Sequence, residues 1–359
     1  MAVHFEKLKI KKINRETPDC VSIEFDIPES LASKFTFREG QNITIKKEFN
    51  GEEIRRSYSI CSAPFEEKLS IAVKSVDNGI FSNYANTQLK PGDELDLLPP
   101  TGNFSPKFSA TTKHNLAIAA GSGITPIISI IKQTLELASQ STFTLIYGNR
   151  NRQSVIFIDE LEGLKSRFLE RFNLINVFSR ESTDSPIHEG RITPEKLSVL
   201  RNMIDYHSMD NIFLCGPEEL IFSSSDYFKS IGIDERKIHF ELFTIPGQDS
   251  GSSVEKSKEE VATKGKTAEV TVSIDGRSLS FNLEYDGMSV LDAGLAQGLD
   301  LPYSCKGGVC STCKAKVLEG EVEMDNNYAL EDDEVAQGFV LTCQSHPRTP
   351  KVVVDYDER

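Results

Sequence analysis

What this chain lacks narrows its possibilities before any motif is read. No apolar run is long enough to span a bilayer: the most apolar stretch, Leu116 to Ile131, is interrupted by Gly121, Gly123, Thr125 and Pro126. The start, Met1-Ala-Val-His-Phe-Glu-Lys, has neither the basic nor the apolar region of a secretory leader. Positive charge is not in excess; the net charge of −14 makes nucleic acid a poor partner. The six histidines (His4, His114, His188, His207, His239 and His346) form no ligand pair, and no Glu-x-x-His motif appears. Cysteine is sparse and odd in number, seven in all, which suggests no disulfide framework and fits a reducing cytosol. The expectation is a cytoplasmic protein with no membrane and no nucleic-acid partner.

What is present is ordinary in bulk and uneven in detail. The 359 residues are enough for two or three domains, each with its own core. From Ala268 to Arg359 there are 17 acidic against 7 basic residues, a net of −10, whereas the remainder carries only −4. Acidity on that scale is most often a solvated face; steering toward a basic partner is the sharper reading. Residues 246–267 form a stretch of Gly, Ser, Lys and Glu with almost no large apolar side chains. Such a linker spans roughly 25 Å if flexible.

Four of the cysteines gather near the C-terminus, at Cys305, Cys310, Cys313 and Cys343. Spacings of four, two and twenty-nine residues fit the plant-type pattern for a [2Fe–2S] cluster. The rival readings are a zinc site, a redox Cys-x-x-Cys pair and buried thiols. Zinc sites usually use paired short spacings, and a redox pair needs no third and fourth cysteine.

Upstream, residues 1–108 read as short alternating segments broken by turns. Val21, Ile23 and Phe25 alternate with polar residues, as do Ile43 and Ile45, then Leu69, Ile71 and Val73. Turns fall at Glu39-Gly40, Asn50-Gly51, Pro91-Gly92-Asp93 and Pro99-Pro100, so the pattern predicts an antiparallel β-barrel. Within it, Arg56-Ser57-Tyr58-Ser59 sits on a strand, where Arg56 could hold a phosphate and Tyr58 could cover an aromatic ligand; the plainer reading is an amphipathic strand. Asn78-Gly79-Ile80-Phe81-Ser82 reads as a turn feeding a helix from Ile80 to Gln88, whose free N–H groups suit a pyrophosphate.

Residues 109–245 change texture. An apolar strand, 116–120, leads into Gly121-Ser-Gly123-Ile124-Thr125-Pro126, then a helix over 127–138. Strands at 143–147, 174–178 and 211–214, with a helix near 154–163, predict a doubly wound parallel α/β sheet. Ligands of such sheets bind beyond the carboxyl ends of the strands. Alternating His239-Phe-Glu-Leu-Phe243 closes the segment. From Ala268 strands return: 270–274 and 279–283 around Asp275-Gly276, a helix over 290–297 capped by Ser289, the cysteine loop, a strand over 314–318 and an acidic helical patch over 330–334.

Arg-x-Tyr-Ser, Gly-x-x-Ser, Pro-Gly-Asp-Glu-Leu and Pro-Thr-Gly-Asn-Phe, with Gly-Ser-Gly-Ile-Thr-Pro, Tyr-Gly-Asn-Arg and Cys-Gly-Pro, resemble the ferredoxin–NADP reductase superfamily. The C-terminal segment resembles a β-grasp ferredoxin, and the whole order resembles reductase components of multicomponent oxygenases. The resemblance implies a multidomain α/β and all-β protein: an antiparallel β-barrel for FAD, a doubly wound α/β domain for NADPH, and an α+β β-grasp ferredoxin domain over 268–359. It places Arg56 on the flavin phosphates, Ser57 among the cofactor-binding residues, Tyr58 against the isoalloxazine and Ser59 near its reactive nitrogen. Val73, Lys74, Gly79, Ile80, Phe81 and Ser82 complete the flavin site, and some relatives hold FMN instead. Gly121, Gly123, Ile124, Thr125, Pro126, Arg150, Gly216 and Pro217 would face the nicotinamide nucleotide, with Cys215 near hydride transfer and Phe243 against the flavin. A buried strand-end thiol and an ordinary core phenylalanine are the plain alternatives for those last two.

Ser179-Arg180-Glu181 and Gly190-Arg191 look like the 2′-phosphate site of NADP-preferring relatives, although their gap departs from the plant-type spacing and Glu181 adds a contrary charge. NADPH is the expected donor, with NADH the alternative. A hydride carries two electrons and a [2Fe–2S] cluster takes one, so flavin is the needed intermediary. The resemblance implies a separate di-iron oxygenase complex as the electron acceptor. The alternatives are another acceptor (a ring-hydroxylating oxygenase, another di-iron enzyme or a hybrid-cluster protein) or an electron-transfer subunit without nicotinamide turnover.

Overall fold

The structure, a computed structural model, describes residues 4–105, 113–244 and 265–358. The expected linker over 246–267 and the expected 108/109 boundary lie almost wholly outside them. Residues Gly265 to Thr267 are described, and the first strand of the last unit already begins at Thr267, so the linker ends earlier than expected.

The first unit is a six-stranded antiparallel sheet. Its strands are β1 (Glu6–Thr17), β2 (Cys20–Asp26), β3 (Asn42–Phe49), β4 (Glu52–Ser59), β5 (Leu69–Lys74) and β6 (Glu94–Leu97), with helix α1 (Ile80–Thr87) between the last two. The order is β4-β3-β6-β1-β2-β5, and an antiparallel bridge from Ile60 to Ile71 joins the two edges. That bridge closes the sheet into a barrel and leaves neither edge strand open. Ile23, Ile43, Ile45, Leu69, Ile71 and Val73, the residues whose alternation announced the strands, fill the interior.

The second unit is a parallel sheet. Its elements run β7 (His114–Ala120), α2 (Ile124–Leu137), β8 (Thr142–Asn149), α3 (Ile158–Arg167), β9 (Phe172–Phe178), α4 (Pro194–Leu200), β10 (Asn211–Gly216), α5 (Glu218–Ser230) and β11 (Ile238–Leu242). The strand order β11-β10-β7-β8-β9 reverses direction at β7, and apolar cores lie on both faces. Two helices differ from the sequence reading. α2 starts three residues early because Pro126 fits the first turn of a helix, where no donor is needed. α3 starts four residues late, because Phe157 takes a left-handed backbone, φ 63°, that no α-helix accommodates. Helices α4 and α5 went unread; α5 is rich in serine and lacks a strong apolar stripe.

The third unit has β12 (Thr267–Ile274), β13 (Arg277–Glu284), α6 (Val290–Ala296), β14 (Lys314–Glu319), β15 (Val322–Met324), α7 (Asp332–Ala336), β16 (Phe339–Leu341), β17 (Ser345–Pro347) and β18 (Lys351–Asp355). Its main sheet, β13-β12-β18-β14-β16, pairs β12 in parallel with β18 and packs α6 beneath, a β-grasp arrangement. Ser289 caps α6 by accepting the Asp292 N–H at 3.1 Å, as expected. The acidic helix α7 runs two residues later than expected.

The barrel and the parallel sheet meet through α2. Ser129 donates to the Ser62 carbonyl at 2.6 Å, and buried Lys132 sits between Glu66 (2.7 Å) and Glu160 (3.0 Å). All seven cysteines are free thiols, and among the described residues no helix is long and apolar enough to cross a membrane.

Candidate flavin, nucleotide and iron–sulfur sites

Strand β4 alternates its side chains between two faces. Arg56 and Tyr58 point one way. Tyr58 lies 5.6 Å from Phe81 of α1, ring to ring, and burial raises its phenol pKa well above the usual range. Arg56 is exposed, its guanidinium resting on the Arg55 carbonyl at 2.7 Å. Helix α1 begins after Gly79 with no side-chain cap, which leaves the N–H groups of Ile80 and Phe81 available to an anion. The Ser82 hydroxyl accepts the Val76 N–H at 3.2 Å and so braces the turn. A groove of about 450 Å³ opens beside this helix start, lined by Lys47, Phe49, Gly79, Ile80, Tyr84 and Gln88. A cationic arginine, uncapped N–H groups and an aromatic-walled groove fit a flavin nucleotide.

The opposite face of β4 carries Arg55, Ser57 and Ser59. Ser57 was expected to serve the cofactor; its hydroxyl instead meets Thr44 at 3.1 Å. Ser59 donates to Glu241 of β11 at 3.0 Å. Glu241 was not anticipated. Burial lifts its carboxyl to about 8, against the hydrogen bond from Ser59, and nearby Cys310 pushes the same way. In register with it on β10 stands Cys215, fully buried, its thiol raised far above normal by burial and by Glu241. Ser59, Cys215, Glu241 and Cys310 thus come from all three units to one place. Nothing local marks Glu241, because an acid alternating with apolar residues on a strand reads as its solvent-facing position.

The nucleotide turn is tight for a visible reason. A Cβ on Gly123 would lie 2.1 Å from the Cys215 carbonyl, so only glycine permits the turn to rest on β10. Thr125 is 3% exposed and donates to the Ser122 carbonyl at 3.0 Å, while Ile124 and Pro126 are buried within α2. These three shape the turn from inside. Gly121 lies close to Lys74 at the end of β5, whose ammonium also approaches Asp19 at 3.6 Å; Val73 beside it is core. At the carboxyl ends of β8 and β9, Arg150 and Arg180 are exposed and linked by a backbone bond, Arg180 N–H to Arg150 carbonyl at 2.8 Å. Ser179 is exposed beside them, its N–H donating to the Asn149 carbonyl at 2.9 Å. Two exposed guanidiniums at adjacent strand ends suit a nucleotide. Arg191 stands apart, 3.7 Å from Glu219 in an exposed pair. Gly216 and Pro217 join β10 to α5, and Phe243, 40% exposed, follows β11.

The four C-terminal thiols converge. Cys305 and Cys310 sulfurs are 3.1 Å apart, and Cys343 lies within hydrogen-bonding reach of both Cys305 and Cys313. The Gly307 N–H points at the Cys305 sulfur at 3.3 Å and the Gln344 side-chain amide at the Cys343 sulfur at 3.7 Å. Gly308 takes φ 76°, and a Cβ there would strike the Asn326 carbonyl at 2.8 Å. Among the described residues no three His, Cys, Asp or Glu groups surround a point suited to a single metal ion. The thiols run as a chain of adjacent pairs, an arrangement that fits two irons with two ligands each better than one tetrahedral zinc. The cluster loop is also packed in: Val309 is buried in the core that lines β10 and β11.

Known proteins agree with this arrangement. Residues 7–105 match the oxidoreductase FAD-binding domain, 117–226 the oxidoreductase NAD-binding domain, and 272–348 the 2Fe-2S iron-sulfur cluster binding domain. One subunit of 1,2-phenylacetyl-CoA epoxidase from Escherichia coli (strain K12) is 43% identical over 99% of this chain and 98% of its own. The chain belongs to the FAD-, NAD- and 2Fe-2S-binding reductases that serve oxygenases. The ferredoxin reductase component of 3-ketosteroid-9-alpha-monooxygenase from Rhodococcus rhodochrous is 33% identical to this reductase, over 97% of this chain and 96% of its own. Phthalate dioxygenase reductase has the same fold across 98% of both chains, with a TM-score of 0.59 at 24% identity. The reductase is therefore an NAD(P)H oxidoreductase with an oxygenase as its partner, and the multidomain architecture read from the sequence stands.

Proposed function

We propose that this reductase draws hydride from NADPH and supplies single electrons to a di-iron oxygenase that epoxidises phenylacetyl-CoA, in the cytosol. The observation that carries the acceptor is the 43% identity to a phenylacetyl-CoA epoxidase component, maintained through all three domains and nearly the full length of both chains. Bound FAD would accept the electron pair of one hydride and release it one electron at a time, the conversion that links NADPH to a one-electron cluster. Arg56 and the start of α1 would hold the flavin phosphates, and Tyr58 would cover the ring. Ser59, with Glu241 behind it, would hold a proton beside the reactive edge, and Cys305, Cys310, Cys313 and Cys343 would hold the cluster.

Support for NADPH comes from Arg150 and Arg180, adjacent at the strand ends and without an ion pair to an acid among the described residues. The contrary charge, Glu181, is occupied: its carboxylate accepts the Arg152 N–H at 2.7 Å. The three cysteines outside the cluster loop, Cys20, Cys61 and Cys215, are joined by no disulfide, which accords with a cytosolic location. A second reading, an oxygenase acceptor of the ketosteroid kind, has the 33% identical relative in its favour.

Purified reductase with the oxygenase components of the epoxidase, phenylacetyl-CoA and either nucleotide decides among these. The expected result is CoA-ester oxidation well above that driven by a chemical reductant, with kcat/KM for NADPH exceeding that for NADH. No gain over the chemical reductant would move the assignment to the second acceptor. Parity between nucleotides would remove NADPH specificity.

A further inference from the structure

Arg55 has no part in the flavin site, since it faces away from Arg56, yet it is only 7% exposed. An arginine is almost never buried without compensation, because a guanidinium taken from water must find its lost partners elsewhere. Here two hydrogen bonds, an ion pair and two rings take the place of water. Its Nε lies 2.7 Å from Glu53 on the same strand. Its Nη1 donates to the Leu301 carbonyl at 3.2 Å, and its Nη2 stands 3.6 Å from Asp300. The guanidinium also lies over two rings, its central carbon 5.0 Å from the Phe5 centroid in the barrel and 4.1 Å from that of Tyr303 in the ferredoxin domain.

Three of those partners, Asp300, Leu301 and Tyr303, lie just before the first cluster cysteine, Cys305. The same face of β4 continues the contact: Ser57 holds Thr44, and Thr44 meets Thr312, between Cys310 and Cys313, at 3.1 Å in a buried pair. Ser59 ends the row at Glu241. This face of β4 thus reaches the cluster loop ahead of its first ligand through Arg55 and, by way of Thr44 on β3, between Cys310 and Cys313, while the other face carries Arg56 and Tyr58.

We propose that Arg55 is a positioning residue that docks the cluster loop on the flavin strand and thereby sets the rate of flavin-to-cluster electron transfer. The idea rests on the flavin and cluster assignments above and is independent of which oxygenase accepts the electrons. Arginine is required rather than lysine, because only a planar guanidinium lies over two rings while donating in its own plane to a carbonyl and a carboxylate. The two states are docked and undocked, and Arg55 biases the equilibrium toward the first.

The test uses the full-length holoprotein and two artificial acceptors: ferricyanide, which takes electrons from the flavin, and cytochrome c, which takes them through the cluster. Arg55→Met keeps the stem and removes the head group. Its expected effect is a fall of about tenfold in cytochrome c reduction, the size of a tenfold loss of docked population. Ferricyanide reduction, flavin absorbance and cluster spectrum should stay native, and amide hydrogen exchange over 299–304 should rise. Arg55→Lys should restore little. Tyr303→Leu should reproduce the effect from the other side, Tyr303→Phe should not, and the Arg55→Met, Tyr303→Leu double variant should be no worse than either single change. An unchanged ratio of the two reductase activities in Arg55→Met would overturn the proposal, as would equal losses with both acceptors. If Arg55→Met fails to fold, the Tyr303 pair decides the matter by the same ratio. Neither acceptor involves an oxygenase, so a mistaken epoxidase assignment would leave these outcomes untouched.

Discussion

Lys132 shows how a single side chain joins two domains and makes the joint depend on pH. It is 5% exposed and bridges Glu66 of the barrel to Glu160 of α3. Burial alone would raise Glu66, but the charge and hydrogen bond of Lys132 outweigh it, and the carboxyl falls below its usual range. Burial likewise opposes the Lys132 charge, and Glu160, Cys61 and Glu66 together hold its pKa above normal. The signs fix the window. The contribution of Glu66 is present above the ordinary carboxylate pKa and is lost as pH falls through its depressed folded value; that of Lys132 is present below the ordinary lysine pKa and is lost as pH rises through its elevated one. Lys132→Met should cost about 2 kcal/mol at neutral pH, less than a fully enclosed pair because Glu160 is partly exposed. Denaturant unfolding of apoprotein at several pH values would check this: the penalty should shrink toward acid, and a constant penalty would reject the electrostatic account.

Residue-level reading of the sequence succeeded where a side chain acts within its own element and failed where it acts across the molecule. The placement of Arg56 and Tyr58 on one strand and the convergence of the four cysteines were legible because a strand alternates and a cluster loop has fixed spacing. Arg55 was not, because its partners are 245 to 248 positions downstream and nothing local distinguishes it from the arginine beside it. Ser57 was misread for the complementary reason: adjacency to Arg56 and Tyr58 suggested a shared ligand, whereas the pleat sends it to the other face.

At the scale of elements, period-two patterns marked β2, β5 and the start of β3, while β1, β6 and two helices of the parallel sheet went unmarked. α3 slipped because Phe157 looks like a helix former and is held in a left-handed turn. The most exacting contact between elements is Gly123 of the nucleotide turn against the carbonyl of β10. Gly123→Ala should force the turn and strand apart and cost about 1–3 kcal/mol by overpacking. The expected kinetic signature is a raised KM for the nicotinamide nucleotide in ferricyanide reduction, with the [2Fe–2S] spectrum unaltered. A KM equal to that of the native protein would show that this turn does not shape the nucleotide site.

At the scale of the molecule, charge is divided between the parts. The last 92 residues carry a net of −10 and the rest −4, so long-range steering of an acceptor falls to the ferredoxin domain. Acceptor turnover at subsaturating oxygenase should fall steeply as salt rises from about 0.05 to 0.5 M, as the screening length contracts from more than 10 Å toward 4 Å. Intramolecular reduction of the cluster, held by buried contacts, should change little over that range. A flat response of acceptor turnover would remove charge from the account of partner choice. The overall order of domains was legible at this scale because each carries its own pattern, but the way they meet was not, because it depends on Arg55, Thr44, Lys132 and Glu241 finding partners far along the chain.

The two-faced strand β4 also bears on heredity and on engineering. Reductases of this kind look modular, as if the ferredoxin domain could be cut at the linker and exchanged for another. Half of its socket would remain behind, written in every second residue of a strand in the first domain. A graft taken at the linker would fold and bind its cluster and still transfer electrons slowly, unless the alternate positions of β4 travelled with it. The unit of exchange is therefore the strand face together with the domain it receives, and lineages that trade ferredoxin domains should retune Arg55, Ser57 and Thr44 first.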